Sequence, residues 1–555
     1  MLAPMDAERS GDAAGLPAFV DPLSDDHARA LEASKRAEMA ELATIDRLQL
    51  SAVDRIAYDV LRYRTEQVLS LFETGLFDVQ RRAALNPSFG MHVEMPDFVS
   101  GGGARFESVE DYERGLERLE GFAGYLENVI AQLRRGVAVG QVQPRVIVDN
   151  VLSQVEAMLA IPVEDSPFYA AIANMPATIG QPERARLAAA YRRMIEERVY
   201  PGYRLWQSYL QTEYLPLASA APGRSAMKDG AALYAAELAR HTTTRMSADE
   251  IHALGRREVA RIREQMEEVR QTIGFGGSLH EFFEHVRTDP RFYHKQPEQL
   301  LEHFKSIEAR IWPNIPKLFP AAPRAPFEVR PLPALGDQRG TGYYRPGPPD
   351  ASGPGILFFN MSMLDTRPIP TLETLTLHEG IPGHHFQLSL AQEQEDLPDV
   401  LRFGRATAYT EGWGLYAETL GRELGLFEDP YQWFGHLDMA MLRAVRLVVD
   451  TGLHAHGWSR DAAIRFMLEN TSMAERDVVV EIDRYIAYPG QATSYKIGEL
   501  KLQELRQRAA TRLGGRFDIR EFHDQVLNTG VLPLDVLEAK IDHWLEERAS
   551  QVRQP

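Results

Sequence analysis

The 555 residues of this chain include no cysteine. That absence excludes a disulfide scaffold, thiolate zinc fingers, cysteine-ligated iron–sulfur clusters and a cysteine nucleophile. Long apolar runs are missing as well, and nothing approaches the roughly 18 consecutive apolar residues of a membrane-spanning helix. Positive charge is in deficit: 61 Lys and Arg stand against 79 Asp and Glu, a formal net charge of −18. A nucleic-acid binder needs a basic footprint to neutralise phosphates, so neither nucleic acid nor membrane is expected as a partner. The first residues, Met1-Leu-Ala-Pro-Met-Asp-Ala-Glu-Arg-Ser-Gly-Asp, carry neither a basic n-region nor an apolar h-region. They do not read as a secretory signal, and a cytoplasmic location is expected.

What is present is an ordinary globular balance, 44 % hydrophobic and 25 % charged. Residues 1–25 are polar and rich in Gly, Pro and Asp, and are expected to form a flexible tail. From Asp26 onward apolar residues recur three or four apart among strong helix formers, over 29–50, 52–77, 108–135, 145–160, 180–213, 230–240, 247–272, 297–312, 435–450, 460–470, 495–512 and 534–549. Ser247-Ala-Asp-Glu250 is a capping-box signature ahead of one such run. The exception is 319–360, where Pro/Gly-rich pieces bracket the short apolar run Ile356-Leu-Phe-Phe-Asn360, with Phe327-Glu-Val-Arg330 as a candidate partner strand. The expectation is a mainly α protein: one large helical body over 26–555, in parts 26–215 and 216–555, with a deep cleft and a small β-sheet beside its catalytic helices.

Chemistry concentrates in one segment. Three of the 16 histidines fall in His378-Glu379-Gly-Ile-Pro-Gly-His384-His385. Two histidines at i and i+4 lie about 6 Å apart along a helix and share a zinc, with the Glu after the first polarising water. Here His384 is at i+6 and His385 at i+7, and on a continuous helix neither imidazole meets His378 at one ion. Pro382 removes a backbone donor and Gly383 permits unusual dihedrals, so a bulge or short loop there would bring a later histidine back beside His378. A third ligand is sought in Thr410-Glu411-Gly-Trp-Gly-Leu-Tyr-Ala-Glu418, a helix whose acidic residues are seven apart on one face. Either Glu411 or Glu418 fits on chemistry alone. Gly412 and Gly414 weaken a helix unless another backbone packs closely, and packing against the zinc helix would explain them.

These segments resemble a bacterial family catalogued as domain of unknown function 885. Its His-Glu-Gly/Ala-x-Pro-Gly-His-His hallmark is matched by 378–385, its Thr-Glu-Gly-Trp-x-Leu-Tyr-Ala-Glu segment by Thr410–Glu418, and a later Pro-Gly-Gln-Ala segment by Arg484–Gly498. Further matching stretches are Pro201–Pro216, Asp229–Arg257 and Asp450-Thr-Gly-Leu-His454. The family is in turn similar to mainly helical zinc peptidases: peptidyl-dipeptidases, thimet-type oligopeptidases and thermostable carboxypeptidases. That similarity implies one Zn2+ per chain, other divalent metals being acceptable to the same donors. It implies His378 and His384 as ligands, Glu411 as the third, and Glu379 as general base. The two-residue insertion with Pro382 departs from the peptidase pattern and keeps His385 in play as second ligand or as a substrate contact.

Other candidates surround this set. Amide hydrolysis needs a donor for the developing oxyanion, and Tyr488 or Tyr495 is placed for it in the donor-rich stretch around Pro489-Gly490-Gln491. Arg484 or Lys496 would take a substrate carboxylate, with Gln491 beside them. His454 is a candidate donor by resemblance to catalytic histidines of the related peptidases, while Arg443, Arg446 and Asp450 ahead of it read as a structural ion-pair network. Thr341, Tyr343, Tyr344 and Asn360 are expected at the cleft border. The leading expectation is a zinc peptidase, an exopeptidase or carboxypeptidase-like enzyme acting on short peptides. Alternatives are an amide or ester hydrolase of a small metabolite, and a non-catalytic peptide-binding protein.

Overall fold

The computed structural model describes residues 4–10, 15–332 and 342–550. It is mainly α, with one small sheet. Helices start where the sequence supplies side-chain acceptors for their first N–H groups: Ser108 with Asp111, Ser247 with Glu250 and Ser278 with Glu281 form reciprocal capping boxes. Gly140 and Gly274 end two of these helices in the left-handed region, which a side chain disfavours. The stretch expected to be a free tail is partly helical. Pro4–Ser10 forms a short helix, and Glu8 pairs with the buried Arg118. An arginine buried in the body attracts that carboxylate inward, which composition alone does not reveal.

The helix Pro430–His454 is central. From Phe434 onward nearly every residue is buried, so it is enclosed on all sides rather than amphipathic. Its length runs beside Ala248–Ile273. Two large cores meet around it. One draws on residues from Met5 to Ala492 and the other on residues from Ala57 to Leu545, with Trp433 packed against both.

The sheet has the order β1-β3-β2, with β1 Phe327–Pro331 parallel to β3 Gly355–Phe359, and β2 Gly342–Arg345 antiparallel to it. β3 is central and buried throughout. This leaves β2 at an edge. Among the described residues no helix is long and apolar enough to cross a membrane.

Candidate metal centre

The unusual histidine spacing is resolved by a change of helix type. The turn Leu372–Leu375 runs into a π-helical turn, Thr376–Gly380, and a new helix starts at His384 and ends at Glu393. Ile381, Pro382 and Gly383 are not helical. The wider turn and the break absorb the additional residues, as the Pro-Gly pair predicts. Gly383 is required there: a Cβ would fall 1.9 Å from the His378 carbonyl oxygen and 2.3 Å from that of Leu377. The fold thus brings the His378 and His384 rings to a centroid separation of 4.6 Å.

Glu411 completes the group from the helix Thr407–Thr419. Its Oε2 lies 3.6 Å from His378 Nε2 and 3.3 Å from His384 Nε2. Ligands about 2.0–2.1 Å from a tetrahedral ion are about 3.3–3.4 Å apart, so the spacing matches ligands around one centre. One ligand atom each of His378, Glu379 and His384 also falls within a common 4.8 Å. The donors fit a divalent cation of the zinc type.

Glu418 has a different part from Glu411. Its Oε1 is 2.8 Å from His378 Nδ1, on the side of the ring away from Nε2. This fixes the imidazole and leaves Nε2 for an ion, the usual carboxylate support of a ligating histidine. Arg443 lies 3.6 Å from the same oxygen. Burial works against the Glu418 charge, but Arg443 and His378 outweigh it and hold its carboxyl below the ordinary range. Burial would likewise lower His378, yet Glu411 and Glu418 hold it up at about 9. The pocket therefore favours positive charge at this point. Gly414 lets the carboxylate helix come this close, because a Cβ there would lie 2.7 Å from His378 Cε1. Gly412 serves another contact than the expected one: its Cβ would lie 2.5 Å from Gly498, where the helix Ser494–Leu513 crosses.

A cavity of about 670 Å³ opens onto these residues. Its wall includes His378, Glu379, His384, Glu411, Tyr344, Arg484 and Tyr495. Tyr495 stacks parallel to His378 with centroids 6.5 Å apart, and burial followed by the Glu411 charge raises its phenol, so it stays a donor. Tyr344 reaches from β2 to donate to His385 Nδ1 at 3.0 Å. Gly355 leaves room for this contact, since its Cβ would lie 2.1 Å from the phenol oxygen.

The other candidates sit elsewhere. His385 is fully buried outside the cavity wall, its Nε2 3.1 Å from the Ala325 carbonyl; burial pushes it down to about 4, so it is a neutral strut under the sheet. His454 accepts from the Arg224 amide at Nδ1 and meets the Tyr485 carbonyl at Nε2, which occupies both nitrogens; burial lowers it to about 3. Tyr488 packs between Phe89 and His241. Lys496 is buried between Glu499 at 2.8 Å and Glu258 at 3.5 Å. Gln491 accepts from Arg484 at 2.9 Å and so positions it without lining the cavity. Asn360 closes a turn by accepting from Ser362. Thr341 falls outside the described residues. Arg443 and Arg446, read from the sequence as part of an ion-pair network, lie on the wall too and pair with Glu418 and Glu481 rather than Asp450; Glu481 was not singled out from the sequence.

The chain belongs to the family described as "Bacterial protein of unknown function (DUF885)", whose model matches residues 4–541. It is similar to the crystal structure of "the putative lipoprotein from Colwellia psychrerythraea" at 28 % identity and a TM-score of 0.86, over 98 % of this chain and 97 % of that one. It shares its fold with a "putative lipoprotein of unknown function" from Shewanella oneidensis at 17 % identity and a TM-score of 0.76, over 97 % and 96 % of the two chains. No curated protein matches it.

Proposed function

We propose that this protein is a zinc-dependent hydrolase that cleaves amide bonds in short peptides. The observation that carries the reading is the convergence of His378, His384 and Glu411 at tetrahedral ligand spacing, with Glu379 beside them on the cavity wall. A divalent ion held by the three would polarise water and a substrate carbonyl. Glu379, not needed as a third ligand, takes a proton from the attacking water and passes it to the leaving amine. Tyr495, a donor on the same wall, stabilises the oxygen on which charge develops. His385 holds Tyr344 in place, and through it the edge strand.

A peptide is favoured by the shape of the surroundings. Gly342, Tyr343 and Tyr344 of β2 line the cavity. An edge strand offers main-chain groups to an extended substrate. The volume falls within the range of small-molecule sites and suits a few residues rather than a folded protein.

The test is a mixed peptide library read by mass spectrometry, with zinc-loaded wild-type protein and Glu379→Gln. The wild type should cleave and the variant should keep its metal while losing turnover by about a hundredfold or more. Retained turnover in Glu379→Gln would show that another base operates. A wild type that holds zinc but cleaves no peptide would favour a small amide or ester substrate.

A further inference from the structure

Several histidines away from the metal centre have both ring nitrogens committed inside the protein, as His385 and His454 do. His252 and His456 do not. Their rings lie T-shaped with centroids 4.6 Å apart and an interplanar angle of 65°. His378 and His384 show nearly the same arrangement, 4.6 Å and 78°. The second pair joins two helices that pack along each other. His252 lies near the start of Ala248–Ile273, and His456 lies just beyond the end of Pro430–His454.

Hydrogen bonding fixes the state of His252. Thr451 Oγ1 donates to the Leu447 carbonyl at 2.6 Å, so it accepts from His252 Nδ1 at 2.9 Å. The ring proton is therefore on Nδ1, and Nε2 carries a lone pair with no hydrogen-bond partner among the described residues. Burial, and then the neighbouring His456, keeps this imidazole below its usual range, so it is neutral at pH 7. A carboxylate stands beside the pair. Asp249 Oδ1 is 3.5 Å from His456 Nε2, close to the spacing of about 3.3–3.4 Å between two ligands of one tetrahedral ion. Asp249 precedes His252 by three residues and so shares its face of the helix.

This group is looser than the metal centre. Among the described residues, only His378, Glu379 and His384 have donor atoms that already converge within 4.8 Å. The side chains of Asp249 and His456 are 86 % and 34 % exposed, so they turn in solvent while Thr451 holds His252. An ion would gather them and would order two side chains in doing so. Trp458 stands edge-on to His252 at 5.7 Å, packed over Gly452 of the central helix. An indole so placed reports on whatever the imidazole binds.

We propose that His252 Nε2, His456 and Asp249 form a second metal site, for a divalent cation of the zinc or nickel type, that ties the start of Ala248–Ile273 to the end of Pro430–His454. Two imidazoles and one carboxylate suit such ions rather than magnesium or calcium. The ordering cost makes this site weaker than the centre at His378, and its ion is released on dialysis. Because only the folded chain brings the three residues together, the ion stabilises the helix pair in proportion to its occupancy. The proposal does not depend on the hydrolase reading.

The experiment titrates zinc chloride by calorimetry into zinc-loaded, dialysed protein: wild type, His252→Gln, His456→Gln and Asp249→Asn. The wild type should take up one further zinc per chain. Its affinity should fall about a hundredfold or more in either histidine variant and about tenfold in Asp249→Asn, at least what loss of a supporting partner costs. Zinc should raise the unfolding temperature of the dialysed wild type and not that of the histidine variants. Nickel chloride should quench tryptophan fluorescence in the wild type, and Trp458→Phe should lose that quenching while keeping the further zinc. The wild-type titration needs no variant, so it tests the idea even if a variant misfolds. No further zinc in the wild type, an undiminished further zinc in either histidine variant, unchanged affinity in Asp249→Asn, or the same quenching in Trp458→Phe would overturn the proposal. The zinc kept after dialysis should be equal in all of these proteins. Its absence from all of them would count against the centre at His378 and the hydrolase reading, and a further zinc lost in the histidine variants would still establish the second site.

Discussion

At the scale of single residues, the two chemical demands of the centre, charge and orientation, are met by different glutamates. Glu411 faces both imidazoles, whereas Glu418 stands behind His378 at 2.8 Å. Replacing Glu418 by Gln keeps a hydrogen-bond acceptor for Nδ1–H and removes the charge. Its zinc affinity should fall about 10- to 100-fold, as for other supports of a ligating histidine, in a competition titration against a chromogenic chelator. Asp450 offers a separate test away from the ligands. Burial pushes its carboxyl up to about 7 from 3.8, despite the Tyr234 hydroxyl and Gly490 amide that donate to it. A proton held more tightly in the folded chain stabilises the fold fully below the unfolded pKa, and that contribution is lost as pH rises through the folded one. Asp450→Asn has no such proton to lose. Between about pH 4 and pH 8 its stability relative to wild type should improve by on the order of 1–3 kcal/mol, read from urea unfolding at each pH.

At the scale of elements, the site depends on where a helix is interrupted and how closely two others approach. The i+6 spacing of His378 and His384, with Pro382 and Gly383 between, was enough to predict an interruption, and the structure has one. Which residues of 484–498 face the cavity was not legible, because that depends on helix phase. Tyr495 points to the metal ligands, while Lys496, about 100° further around the same helix, points to Glu258 and Glu499. Tyr488 and Gln491 lie at the bend between the helices Glu475–Ala487 and Ser494–Leu513 and turn inward to the packing there. His454 failed for a related reason: it ends a helix buried on all sides, where a histidine must find backbone partners. The close approach itself can be tested at Gly414. Gly414→Ala places a methyl against the His378 ring, which should cost about 1–3 kcal/mol of stability by overpacking and lower zinc affinity by turning the ring. Thermal unfolding and metal content of the same preparation measure both, and an unperturbed zinc content would contradict the packing account.

At the scale of the whole molecule, the cavity lies where the two cores meet. Leu442 belongs to the core that begins at Met5, and Leu357 and Phe359 to the core that ends at Leu545; all three line the cavity. Helical periodicity made the elements legible, but not their assignment to cores, because contacts such as Glu8 with Arg118 or Asn86 with the Ala487 carbonyl join distant parts of the chain. A chain cut between 215 and 216 should accordingly give fragments that are insoluble alone and associate when co-expressed, measured by the soluble yield of each; a soluble, cooperatively folding 216–555 fragment would contradict this. The six arginines on the cavity wall are likewise a property of the assembled fold that the net charge of −18 conceals. The account as a whole depends on His378, His384 and Glu411 holding one ion. The most direct measurement is elemental analysis of wild type and His384→Ala after zinc loading and exhaustive dialysis, with folding checked by circular dichroism. The expected result is close to one zinc per wild-type chain and little in the folded variant. Folded wild type without stoichiometric zinc, or the same zinc content in His384→Ala, would contradict it.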